Sequence, residues 1–141
     1  MKKIIFLVAL ACASTVSAKE QLLVSSGASK SQSAIAIDVM SSGAAVAVQV
    51  TGQVEAKYAG VVAFGCGKGA PKTHQVSCAV TKEGRVTMIA FSGSNEFLPT
   101  GVVSLGTISV PSAANFKVTE FLASDRNAQP IEVSVVDDAQ K

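Results

Sequence analysis

The sequence predicts an all-β chain of about nine short strands, folded as a β-sandwich with at most one turn of helix. Hydrophobic residues recur with period two over most of the chain after residue 18, the signature of strands buried on one face. Clusters of Gly, Ser, Asn, Asp and Pro interrupt that alternation at short, regular intervals. Apolar residues make up 48% of the chain, so a core is available, yet Trp is absent and Tyr58 is the only tyrosine.

The first eighteen residues stand apart from this pattern. Lys2 and Lys3 precede the apolar run Ile4-Ile5-Phe6-Leu7-Val8-Ala9-Leu10-Ala11, and Val16-Ser17-Ala18 supplies the small residues of a cleavage site. That is the form of a secretory signal peptide over residues 1–18, with the mature protein starting at Lys19. The run is shorter than the roughly 20 residues that span a bilayer, and no later stretch qualifies, so the expected product is exported, periplasmic or extracellular, and not membrane-spanning. A lipoprotein reading, with Ala11 preceding a lipidated Cys12, is the alternative, although Ala9 and Leu10 match that recognition sequence poorly. Removal of Lys2 and Lys3 leaves ten basic against ten acidic residues. Charges so balanced and so dispersed make no footprint for nucleic acid.

Residues 19–141 have the length of one domain. Its strands follow in order. Residues 21–25 form the first candidate, and Ile35, Ile37 and Val39 alternate with Ala36 and Asp38 in the second. After the turn Ser41-Ser42-Gly43, Val46, Val48 and Val50 alternate with Ala47 and Gln49 in the third. Residues 53–59 interrupt the series, because Val54, Tyr58 and Val61 fall at helical spacing and predict a single helical turn. Strands resume at 60–65, 75–80, 85–92, 102–110 and 115–123, rich in Val, Ile, Thr and Phe. The breaks are Lys82-Glu83-Gly84, Ser92-Gly93-Ser94-Asn95 and Pro99-Thr100-Gly101. Past Asp125-Arg126-Asn127, Ile131, Val133 and Val135 alternate with Glu132 and Ser134 as a strand, and because the chain stops soon after Val136 the final strand of the sandwich is expected to be missing or shortened.

With Cys12 in the leader, Cys66 and Cys78 remain as an even pair in an exported chain, which predicts a disulfide. It closes a loop of Gly, Pro and Lys residues with little to pack, and a closure of this length stabilises by roughly 3 kcal/mol. Their spacing is not that of a redox Cys-x-x-Cys pair, and one histidine is too few for zinc. His74 in that loop is expected to be exposed and without a catalytic partner. Gly65-Cys66-Gly67-Lys68-Gly69 lacks the Lys-Ser/Thr step and the following helix of a phosphate loop. Asp125 and Asn127 offer oxygens in a turn but no run of further acids for calcium. Neither paired catalytic carboxylates nor a nucleophile triad assembles, so no enzyme and no cofactor is expected.

The order of segments resembles a cohesin domain. Ser33-Ala34-Ile35-Ala36-Ile37-Asp38-Val39 leading through Ser42-Gly43 into Ala44-Ala45-Val46-Ala47-Val48-Gln49-Val50 is similar to the opening of that family. Gly84-Arg85-Val86-Thr87-Met88-Ile89-Ala90-Phe91-Ser92, followed by Leu98-Pro99-Thr100-Gly101 and the strand to Val110, matches its pattern of a hydrophobic strand and then a glycine-led one. The end, from Phe121 through Asp125-Arg126-Asn127 to Val133, looks like the family's polar turn and final strands. One departure is Thr51-Gly52-Gln53-Val54, where cohesins commonly carry a Tyr-Asp-Pro turn.

The resemblance covers nearly all of residues 19–141. It implies a nine-strand jelly roll of the superfamily shared by cohesins and bacterial carbohydrate-binding modules, in which the cohesins bind a calcium-loaded dockerin on one sheet face. The expected function is non-catalytic protein–protein recognition of a dockerin-like or envelope protein, on strands 44–50, 75–80 and 85–92. Gln49, Glu83, Arg85 and Thr87 are the candidate partner-binding residues, and ordinary solvent-facing positions are the alternative for all four. Polysaccharide binding is a second reading, disfavoured by the scarcity of aromatics, with Phe97 as its one contributor. A role in envelope or secretion-system assembly is a third.

Overall fold

A computed structural model describes residues 19–29 and 31–137. The expected signal peptide, with Cys12, lies outside the described residues. The strands are β1 (Lys19–Ala28), β2 (Gln32–Ser41), β3 (Ala47–Gln53), β4 (Ala63–Cys66), β5 (Gln75–Val80), β6 (Arg85–Phe91), β7 (Gly101–Pro111), β8 (Lys117–Ser124) and β9 (Glu132–Asp137). A 3-10 turn at Ala56–Val61 occupies the place where helical spacing was read, and it delays the strand expected from residue 60 until Ala63. The last strand is present, six residues long.

Two sheets pack face to face. One has five strands in the order β4-β7-β2-β1-β9, the other four in the order β5-β6-β3-β8. All pairings are antiparallel except β1 with β9, which run parallel with Leu22 opposite Val135. The alternation places the core between the layers. Leu22, Val24, Ile35, Ile37 and Val39 of the first sheet meet Val48, Val50, Val86, Met88, Ala90 and Phe121 of the second. Apolar side chains here sit in a buried layer, and that burial is the main stabilising term of the fold.

Two glycines permit this packing where the sequence would otherwise clash. In β7 the buried positions run Val103, Leu105, then Ile108 and Val110, a slip of one residue in the alternation. The slip is a bulge between Ile37 and Asp38 of the partner register, and Gly106 at φ +133° sits in it. A Cβ on Gly106 would lie 2.3 Å from the Gly65 carbonyl oxygen, so only glycine lets β4 approach β7 there. Gly52 in β3 plays the same part for the Phe116 ring, which lies 2.5 Å from where its Cβ would be.

Polar groups inside the sandwich are few, and Glu20 and His74 have hydrogen-bond partners, whereas the buried Ser134 hydroxyl on β9 has none. Glu20 is fully buried at the start of β1, and its carboxylate accepts the backbone N–H of Ser42 at 3.2 Å and the Ser42 hydroxyl. It thereby ties the β2–β3 turn to the first strand. Cys66 and Cys78 form the expected disulfide, with Cα atoms 6.0 Å apart. The bond joins β4, an edge of one sheet, to β5, an edge of the other, and so closes one side of the sandwich.

The loop inside the disulfide corrects the sequence reading. His74 is buried, not exposed, at 6% accessibility. Its Nε2 lies 2.9 Å from the Val46 carbonyl oxygen and its Nδ1 2.9 Å from the Thr73 hydroxyl. A carbonyl can only accept, so Nε2 carries a proton and donates to Val46, while Nδ1 is paired with the Thr73 hydroxyl, and both ring nitrogens have a partner. Gly67 donates to the Leu105 carbonyl at 2.9 Å and the Ser104 hydroxyl to the Lys68 carbonyl at 3.1 Å. Backbone and ring hydrogen bonds therefore hold a loop that apolar packing cannot.

Candidate functional site

The outer face of the four-stranded sheet is built from the residues that alternate with the core. Strand register arranges them in rows. Ser77, Ile89, Gln49 and Leu122 form one row across β5, β6, β3 and β8, and Ala79, Thr87, Thr51 and Glu120 form the next. Arg85, Gln53 and Lys117 form a third, while Gln75 stands beside Phe91 at the opposite end. Of the four residues singled out in the sequence, Gln49, Thr87 and Arg85 share this face. Glu83 does not. It occupies the β5–β6 turn, where its carbonyl accepts from the Gln53 amide at 2.8 Å and its side chain faces solvent.

The rows divide the face into two chemistries. Arg85, Gln53, Lys117, Glu120 and the two threonines make one end polar, with charges of both signs. The other end is apolar: Leu122 is 48% exposed, Phe91 39%, and Ile89 and Ala47 are half-buried. In the sequence alone these residues read as core, because a hydrophobic side chain in a strand is ordinarily buried. Their position in the alternation was the available signal, since Leu122 lies between the buried Phe121 and Ala123.

A groove of about 320 Å³ crosses this apolar end, lined by Ala47, Gln49, Ile89, Leu122, Ala128 and Pro130 among others. Its wall is the β8–β9 turn, and that turn is fixed from two sides. The Asp125 carboxylate accepts the N–H groups of Asn127 at 2.8 Å and Gln129 at 2.9 Å, and Ala128 is held at φ +62°. Both bonds fall on one carboxylate oxygen, Oδ1, and hold the turn closed. The Arg126 guanidinium then stacks 4.1 Å from the centre of the Phe97 ring and donates from Nε to the Asn95 carbonyl at 3.2 Å, clamping the turn to the neighbouring 92–99 loop. Phe97 is 41% exposed, but with a guanidinium over one face it is not a free platform for a sugar ring.

Among the described residues no three His, Cys, Asp or Glu side chains gather as metal ligands, and His74 is committed to Val46 and Thr73. Among the described residues no helix is long and apolar enough to cross a membrane.

No protein-family model and no curated protein matches the sequence. Solved structures do match its fold. The sixth cohesin of scaffoldin B from Acetivibrio cellulolyticus, solved in complex with a dockerin, superposes with a TM-score of 0.59 at 11% identity, over 84% of this chain and 94% of that one. The second type II cohesin module of the ScaA scaffoldin from the same organism gives 0.59 at 8% identity, over 86% and 94%. A non-cellulosomal cohesin from the archaeon Archaeoglobus fulgidus gives 0.58 at 12% identity, over 84% and 86%. Strand order, sheet pairing and this superposition agree: the chain has a cohesin-like fold.

Proposed function

We propose that this chain is an exported, non-catalytic recognition module that captures a protein partner on the outer face of its four-stranded sheet. The observation that carries the reading is the division of that face into an apolar end, grooved and walled by a clamped turn, and a polar end of mixed charge. Apolar side chains left in water at one end of a strand surface cost free energy unless something covers them, and the polar end beside them supplies register and specificity. The preformed wall also lowers the ordering cost of binding. The partner class is a dockerin-like or envelope protein, in keeping with the cohesin neighbours solved in complex with dockerins. Export is supported by the signal-like residues 1–18 and by a disulfide, which persists in oxidising compartments.

The test is capture from the cell envelope by the immobilised mature domain. Gln49→Arg, Thr87→Trp and Leu122→Glu should each abolish or weaken capture of the wild-type partner while the melting temperature stays within about 2 °C of wild type, as expected for surface positions. Full capture by all three variants would overturn the reading. So would retention of the wild type, but not of Phe97→Ala, on immobilised polysaccharide with no protein recovered.

A further inference from the structure

We propose that the fold masks its own maturation site, so that cleavage between Ala18 and Lys19 has to occur before the start of β1 docks. The proposal rests on the reading of residues 1–18 as a cleaved leader. Hydrolysis of that bond consumes one water and leaves a carboxylate on Ala18 and an α-ammonium on Lys19.

No spacer separates the bond from the sandwich. Lys19 is already part of β1, in register with Glu132 of β9, and Glu20 is in register with Val133. Strand β2 joins only from Gln21, opposite Met40, so the first two residues of β1 are held by β9 and by the β2–β3 turn. Glu20 is the anchor. It is fully buried, and its carboxylate accepts both the backbone N–H and the hydroxyl of Ser42. A peptidase grips its substrate as an extended strand, through backbone hydrogen bonds and side-chain pockets on both sides of the scissile bond. The residues it would hold after this bond are Lys19 and Glu20. A strand edge already paired with Glu132 and Val133 is closed to an enzyme, and a carboxylate enclosed with Ser42 cannot enter a pocket. Cleavage of a folded precursor therefore requires the start of β1 to open, and its rate falls with the population of that open state. Because β9 is the last of the described strands in chain order, the bond stays accessible until nearly the whole chain has crossed the membrane.

The test incubates leader-bearing precursor, refolded with its disulfide oxidised, with the membrane peptidase that removes leaders, and reads the products by intact mass. The chain beginning at Lys19 should appear roughly tenfold or more slowly than from the precursor of Val48→Asp, whose core carboxylate keeps the same bond in an unfolded chain. Insertion of Gly-Ser-Gly-Ser-Gly-Ser between Ala18 and Lys19 moves the bond clear of β1, and should restore the fast rate while circular dichroism still shows the native fold. A precursor that reaches the native spectrum only after cleavage supports the same order of events. Equal rates for folded wild-type and Val48→Asp precursors would overturn the proposal, as would a folded insertion variant cut as slowly as wild type. Failure to cut the Val48→Asp precursor would overturn the leader reading itself, and the proposal with it, so the two failures are distinguishable.

Discussion

Single residues show how the polar interior is maintained. His74 closes the Val46 carbonyl inside a loop that has almost no apolar packing of its own. His74→Ala removes the donor and leaves a buried acceptor, which should cost about 1–3 kcal/mol. A lower urea midpoint with unchanged slope in equilibrium unfolding is the expected result, and Gln at this position, which retains a donor, should recover part of it. Val48 tests the opposite kind of position. It is 2% exposed between the sheets, and Val48→Asp puts a carboxylate there with no partner, at a cost of several kcal/mol. That variant is expected to be recovered unfolded or not at all, as judged by circular dichroism.

Elements are secured mainly at their edges. The disulfide joins the edge strands of the two layers, β4 and β5, and closes a short loop, so its removal should cost roughly 3 kcal/mol on the loop-entropy argument. Hydrogen bonds from Gly67, Ser104 and His74 hold the same loop independently, so a Cys66→Ala/Cys78→Ala double variant should still fold, with a lower melting temperature measured by calorimetry. The β7 bulge is less forgiving. Gly106→Ala drives a Cβ into the Gly65 carbonyl and should detach β4 from the sheet, read as rapid amide exchange at residues 63–66. The bulge did have a signal in the sequence, the isolated Gly106 inside the run from Val102 to Val110, but what requires the glycine is the approach of β4, which the alternation does not show.

The whole molecule is a sandwich whose four-stranded sheet presents an apolar end and a polar end on its outer face. One expectation at this scale concerns processing: intact-mass measurement of the exported protein should give a chain beginning at Lys19, and a lipidated Cys12 would exclude it. Period-two alternation, turn residues at regular intervals and an even cysteine pair determined the layers, most strand bounds and the disulfide, because those are local consequences of burial on one face and of chain reversal. The 3-10 turn was legible for the same reason, from the spacing of Val54, Tyr58 and Val61. The site was legible only in part. Gln49, Thr87 and Arg85 fell on one face because alternation assigns faces, whereas Glu83 fell in a turn, and Ile89, Phe91 and Leu122 were hidden by their own hydrophobicity. Burial of His74 and the pairing of Arg126 with Phe97 both depend on which distant segments the topology brings together. Strand alternation fixes which way a side chain points, but only the packing of one sheet on the other decides what it meets there.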